Sequence, residues 1–395
     1  MAIKYGKLVR LLTGESESQM PIVMNANSKY DFSETQKTGS VVYVSLADTG
    51  TVVVDTDDVT SADMTINEVD IPITLKRYTI PTALTSKELA LEVDSKEEQI
   101  AKPRAQHIAD SIQEAACDAL LLGAGSNITV TAATLVNLSD AVASIRNAKC
   151  NGEIIGGINP SLASKYVAVA AGSFLKSNDS MFGNLELGHF ADAQWYNVPQ
   201  FTVLSTGNYD LSTSANVAAV TAEGATSLVI TDALLTSGVS KIKKGQTFTL
   251  AGTYTVDRFG NSIGILKTFV AQADATAVTG AITVTVAPIY FTGAGKNIST
   301  ASIAGGTVIT RGQDKNSSYL RGMVYDKNAF CRGTAKLPVM DGTNAASSSD
   351  TKNGFSLRAA AQGNVLTDKY VMRLDALVGF TQARGIFSSS IYVKI

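Results

Sequence analysis

The feature that most constrains this chain is one long helical pattern, running from about Thr85 to Leu122, set between stretches that read as β-strand. The hydrophobic period changes at Leu84. Thr85 fits an N-cap with Glu88 reaching back as the third helical residue, and Leu84 and Leu89 occupy the positions of a hydrophobic staple. A second start lies at Ser95, with Glu98 three residues on. Pro103 fits only a first turn or a kink, because a proline inside a helix removes a hydrogen bond and costs roughly 3 kcal/mol. Beyond it, Ile108, Ile112, Ala115, Ala116, Ala119 and Leu120 share one stripe, with Asp110, Gln113, Glu114 and Asp118 mostly off it, and Gly123 stops the helix. An Ala-rich stripe lets a neighbour approach closely. The spacing therefore predicts a spine lying across a domain.

Before the spine, two β-branched runs, Ser40 to Leu46 and Thr51 to Asp55, are separated by a Gly-containing turn and predict a hairpin. A two-stranded hairpin is marginal in water, so one that projects from its own subunit needs a neighbour to pack on. Ile71 to Ile80 resumes extended structure, with Pro72 and Pro81 placing these strands at edges or ends.

After the spine, residues 124 to 215 alternate: Leu138 to Ala148 helix, Glu153 to Ile158 strand, and Pro160 to Ala171 helix opening on a proline. That pattern predicts an α+β domain. From about Ala218 to Thr310 the composition shifts to Thr, Val, Ala and Gly, in short runs such as Gln246 to Leu250, Ile265 to Ala271 and Ala281 to Val286. Strands at this spacing predict a small β-barrel or sandwich set into the surrounding domain, with Asp257 to Gly264 as a hairpin tip.

The totals exclude several function classes. Hydrophobic residues make up 45% and charged residues 17%, which fits a folded protein. Lys plus Arg is 33 against 35 for Asp plus Glu, so a net charge of -2 provides no footprint for gripping nucleic acid. Cys117, Cys150 and Cys331 are too few and scattered for a disulfide framework and read as small buried hydrophobes. No segment reads as a secretory signal or a membrane span, which predicts a soluble protein.

Candidate sites fail on their own chemistry. With only His107 and His189, a Ser-His-Asp triad or His-based metal centre lacks raw material. Gly293-Ala-Gly-Lys296 lacks the earlier glycine of a phosphate loop, where Tyr290 stands, and Asn297 follows the lysine. Asp55-Thr-Asp-Asp58 has Val59 at position five and no glycine at six, so it reads as a solvated acidic loop rather than a calcium site. Arg373 and Asp375, two apart, share a strand face and read as a solvent-exposed or inter-subunit pair. No catalytic, cofactor-binding or metal residue is assigned.

Three segments, taken in order, resemble the coat-protein family of short-tailed temperate phages. In the first, Gly39-Ser-Val-Val-Tyr-Val, then Asp70-Ile-Pro-Ile-Thr-Leu, Leu84-Thr-Ser-Lys-Glu-Leu-Ala90, Ile100-Ala-Lys-Pro103 and Ile108-Ala-Asp-Ser-Ile112 resemble the family's entry into the extended loop and spine. In the second, Lys244 to Gly252, Thr268 to Ala273 and Ala287-Pro288 resemble the inserted β-barrel of one subgroup. In the third, Met323 to Phe330, Leu337-Pro338, Gly354 to Arg358 and Arg373 to Phe380 resemble the closing strands.

The resemblance implies an α+β Hong Kong phage-type capsid fold: N-terminal arm 1–38, extended loop and peripheral strands 39–83, spine helix 84–123, axial α+β domain 124–217, inserted β-barrel 218–310, and returning strands 311–395. It implies a non-enzymatic major capsid protein assembled in the host bacterial cytoplasm and resident in the virion. Its partners would be itself as hexamers and pentamers, a scaffolding protein, a portal protein, and double-stranded DNA enclosed without sequence-specific binding; no membrane and no cofactor are implied. No heptad repeat precedes about Ser40, so no cleavable coiled-coil segment is expected, and no Lys–Asn crosslink is assigned. The alternatives are another structural virion protein, of the tail or a decoration, and a carbohydrate-active enzyme, for which no carboxylate pair offers itself.

Overall fold

A computed structural model describes residues 20–31, 37–38, 40–47, 49–50, 67–85, 96–170, 186–338, 344–349, 356–364 and 369–395. The chain forms two compact units, each assembled from three separate stretches: Met1–Val44, Pro72–Cys117 and Cys331–Thr381 in the first, and Ser45–Ile71, Asp118–Phe330 and Gln382–Ile395 in the second.

In the first unit, strand Lys369–Gln382 takes Lys76–Thr85 along one side and Ser356–Asn364 along the other, both antiparallel. Ser356–Asn364 in turn pairs with Asn344–Ser349. Among the described residues, Pro81 sits on a strand that pairs only on one side, as expected of a residue with no N–H to donate. Strand Val41–Ala47 lies between Lys37–Thr38 and Glu68–Thr74, so Pro72 is also at an edge. The hairpin partner expected at Thr51 to Asp55 lies outside the described residues.

The spine helix spans Lys96–Leu122, beginning one residue after the second predicted start. The first start is corrected at Thr85, which is the last residue of a strand and pairs with Lys369; Glu88 and Leu89 lie outside the described residues. Pro103 sits inside the helix and is exposed, away from its packed face. The buried stripe is Ala105, Ile108, Ala109, Ile112, Ala116, Cys117, Leu120 and Leu121. Gln113, expected off that stripe, is also fully buried, where its side-chain oxygen accepts the Val23 N–H at 3.3 Å. The apolar face was legible; the polar tie within it was not. At Gly123 the N–H closes the last turn on the Ala119 carbonyl at 3.1 Å. A Cβ there would stand 2.3 Å from Gln382 Cβ, which explains why the stop is glycine.

The second unit contains a mixed sheet in the order Ser126–Val130, Ser388–Lys394, Ser318–Asp326, Ile154–Ile158, Ala193–Asn197, Glu186–Phe190, with Leu204–Ser205 also paired to Ser318–Asp326. Helices Leu135–Asn147 and Pro160–Ala170 bury Leu138, Val142, Ile145, Leu162 and Tyr166 in a core with Trp195, Val324 and Ile391. Trp195 lies flat against the strand backbone at Gly156, where a Cβ would come within 2.4 Å of the ring. Its indole N–H donates to the Phe190 carbonyl at 3.0 Å.

Residues 216 to 311 supply a six-stranded antiparallel sheet ordered Ser262–Val270, Thr247–Val256, Thr307–Arg311, Asn216–Val217, Ala225–Thr231, Ala281–Ile289. Just past one end strand, the Gln272 N–H donates 2.8 Å to the Thr285 carbonyl of the other end strand, curling the sheet towards closure. Alternation along Ala281–Ile289 puts Ile282, Val284 and Val286 inside. They join Leu228, Ile230, Ile309 and the stacked Phe248 and Phe269, whose centroids are 5.8 Å apart.

Candidate functional site

A dense polar cluster in the first unit is built on one face of its large sheet. Asp375 stands opposite Thr79 on one neighbouring strand and opposite Arg358 on the other. Arg373, two residues earlier, emerges on the same face by the pleat, and Arg77 lies diagonally across. All four reach the one carboxylate. Arg358 donates to Oδ2 at 2.5 and 3.1 Å, and Arg373 to Oδ1 at 2.9 Å. Arg77 reaches both oxygens at 3.4 Å, and the Thr79 hydroxyl donates to Oδ1 at 2.7 Å.

Asp375 is fully buried and Arg358 nearly so, while the Arg77 and Arg373 side chains remain 44% and 39% exposed. Arg373 and Asp375 pair on one face as expected, and of the two alternatives the solvent-exposed pair is corrected: Asp375 is a buried anchor for three arginines. The partners at 77 and 358 are set by strand pairing across the chain, which no local spacing reveals.

A second buried pair ties residues 20 to 31 to strand Phe330–Thr334. Arg332 donates to Asp31 at 2.7 Å and to the Val23 carbonyl at 2.9 Å, with both charged side chains almost wholly buried. Burial pushes the Asp31 carboxyl up, and the Arg332 guanidinium beside it draws it only part of the way back.

The hairpin tip at Asp257 to Gly264 has a buried base at Asp257, while Asn261, Ser262 and Gly264 are exposed. Asp257 is 3% exposed: it accepts the backbone N–H of Phe259 at 2.8 Å and of Asn261 at 2.9 Å, and pairs with Lys149 at 2.6 Å. The Arg258 N–H donates to the Ala148 carbonyl, and the Lys149 ammonium lies 4.9 Å from the Phe259 ring centroid. Burial raises the Asp257 carboxyl, but Lys149 and these N–H donors outweigh it and hold the group below the usual carboxylate range. The tip thus docks on the C-terminal end of helix Leu135–Asn147 in its own chain. Arg258 and Phe259 stay exposed.

The remaining candidates are not brought together. His107 and His189 are exposed on separate elements. Cys117, Cys150 and Cys331 are buried and unbridged, and burial pushes the Cys150 thiol up to about 11. Gly293 to Lys296 forms a turn, closed from Lys296 N–H to the Gly293 carbonyl, between two strands and not before a helix. Asp55 to Asp58 lies outside the described residues. Among the described residues no group of three His, Cys, Asp or Glu side chains could hold a metal ion, and no helix is long and apolar enough to cross a membrane.

One feature that sequence reading missed is Lys267, buried on strand Ser262–Val270. Leu266 stands opposite the exposed Tyr254, so the pleat turns Lys267 to the buried side with Thr253 and Thr255. Among the described residues no carboxylate pairs with it, and burial lowers its ammonium to about 8. The only sequence signal was a lysine at an inward position of an alternating strand.

No protein-family model matches this sequence, and no curated protein matches it. Among solved structures, the chain is similar to the acid-stable capsid of Helicobacter pylori bacteriophage KHP30, with a TM-score of 0.48 and 9% identity over 95% of this chain and 91% of that one. It is similar to the capsid of Ralstonia phage GP4, with a TM-score of 0.47 and 8% identity over 96% and 90% of the two chains. It is also similar to a virus-like particle from Pyrococcus furiosus, with a TM-score of 0.43 and 6% identity over 98% and 99%.

Proposed function

We propose that this chain is the major capsid protein of a tailed bacteriophage, self-assembling as hexamers and pentamers into the icosahedral shell that encloses double-stranded DNA. The observation that carries the reading is the order of elements: strand Val41–Ala47, strands Glu68–Thr74 and Lys76–Thr85, the spine Lys96–Leu122, a mixed α/β sheet interrupted by a β-sheet insertion, then strands that return to complete both units. That order is the one implied by the resemblance of residues 31 to 395 to phage coat proteins.

In this reading the domains are the arm 1–38, extended loop and peripheral strands 39–83, a segment 84–123 whose helical spine is Lys96–Leu122, axial domain 124–217, inserted β-barrel 218–310 and returning strands 311–395. A scaffolding protein and a portal protein are the assembly partners, and assembly takes place in the host cytoplasm. The near-neutral charge of -2 suits a wall that surrounds DNA without gripping it. The shell performs no chemistry, and its specificity lies in repeated contacts between copies of one chain.

Expression of the full chain with and without a scaffolding protein, followed by electron microscopy, tests the reading. Rings or closed shells are expected. A strictly monomeric protein across salt and concentration, with and without scaffold, overturns it.

A further inference from the structure

We infer that the half-exposed guanidiniums of Arg77 and Arg373 form a carboxylate-binding site that a second copy of this chain fills; the inference rests on the capsid reading. Asp375 contributes one negative charge, and Arg77, Arg358 and Arg373 contribute three positive ones, so the cluster is left with an excess of two. Its bonding is also oversubscribed. A carboxylate has about four lone-pair positions, and Asp375 receives two bonds from Arg358, two from Arg77, one from Arg373 and one from the Thr79 hydroxyl. Arg77, at 3.4 Å on both contacts, is the weakest holder. Each guanidinium has five donors in a planar fork that matches a carboxylate edge. Arg77 and Arg373 use only part of that capacity inwards, and both are open to solvent.

The occupant follows from charge. The whole chain has 33 basic and 35 acidic residues, so a local excess of two cations is matched by acidic excess elsewhere on the same sequence. Among the described residues Glu68, Glu114 and Asp140 are exposed carboxylates with no basic partner. Copies of one chain tiled in a shell can therefore satisfy each other's unmatched charge, which an enclosed phosphate polymer facing a near-neutral wall does not require.

The test uses the full chain as Arg77→Gln, Arg373→Gln and the double variant, with wild type and scaffold alongside. Urea denaturation of the unassembled protein and the critical concentration for shell formation are measured at low and high salt. The double variant is expected to keep a denaturation midpoint close to wild type while its critical concentration rises at least tenfold at low salt, with the gap narrowing as salt rises. Wild-type-like assembly by a folded double variant overturns the inference, as does loss of folding in both single variants, which makes the arginines supports for Asp375 alone. Normal shells that hold DNA less tightly also overturn it, because the occupant is then phosphate. Failure of wild type itself to assemble strikes the capsid reading instead.

Discussion

Replacing Lys267 with methionine should stabilise this protein. Lys267 is buried on the inward face of the curled β-sheet, and burial lowers its pKa from 10.5 to about 8. The unfolded chain retains the ordinary value, so at neutral pH folding must confine a charge that the unfolded state hydrates freely. Each unit of displacement is about 1.4 kcal/mol, which makes the penalty about 3 kcal/mol. The sign follows from proton counts. Between pH 8 and 10.5 the unfolded state binds more protons than the folded one, so the lysine's contribution to stability rises with pH through that window and is flat below it. Methionine fills a similar volume without charge. Lys267→Met should therefore be more stable than wild type by about 3 kcal/mol at pH 7, with the difference closing as pH approaches 10.5. Urea denaturation of the unassembled chain at pH 7, 8, 9 and 10 measures both. Equal stability at pH 7, or a gap that does not narrow towards pH 10, would refute the argument that desolvation dominates this site.

Asp375→Asn should cost about 3 to 5 kcal/mol, because it leaves buried Arg358 without its counter-charge; the urea midpoint should fall accordingly. Gly156→Ala should cost about 1 to 3 kcal/mol, since the new methyl falls within 2.4 Å of a Trp195 ring that the Phe190 carbonyl holds in place; loss of near-ultraviolet signal from the single tryptophan checks it. Asp257→Lys should destabilise the isolated chain by about 3 kcal/mol, by stranding two N–H donors and setting a cation against Lys149. Arg258→Glu, on an exposed side chain, should change stability by no more than about 0.5 kcal/mol in the same denaturation assay.

Local pattern revealed what local chemistry determines. Ile108, Ile112, Ala116 and Leu120 declared the packed face of the spine, and Gly123 its end, because a 3.6-residue period and a glycine stop are written in consecutive residues. Alternation in Ala281–Ile289 likewise declared a half-buried strand. Thr85 misled because its capping pattern is real in isolation. In the folded chain its backbone pairs with Lys369, and a strand partner that distant in sequence overrides a local preference. Asp375 misled for a related reason, and the burial of Asp257 was equally illegible. A carboxylate in a short polar context looks solvent-exposed until its partners arrive, and Arg77, Arg358 and Lys149 come from other elements entirely. Gln113 shows the same limit inside the helix: its place was readable, but the Val23 N–H that justifies its burial was not.

The topology also sets an order in which stability can accumulate. The strands of the six-stranded sheet all come from residues 216 to 311, so its ladders close over comparatively short loops. The mixed sheet is different: strand Ser388–Lys394 lies between Ser126–Val130 and Ser318–Asp326, paired in parallel to the first and antiparallel to the second. Its residues Ser388, Ser389, Ser390, Ile391, Tyr392 and Val393 are all buried. Until that strand arrives, the two flanking strands each lack a neighbour, and the core containing Ile391 and Val393 is open on one side. The first unit has the same property, because Lys369–Gln382 bridges strands from both ends of its sequence. Long-range pairing of this kind is slow, since loop closure is paid before contacts repay it. The six-stranded sheet is thus the part of the fold able to form early, and the mixed sheet and the large sheet of the first unit close only when their returning strands are in place.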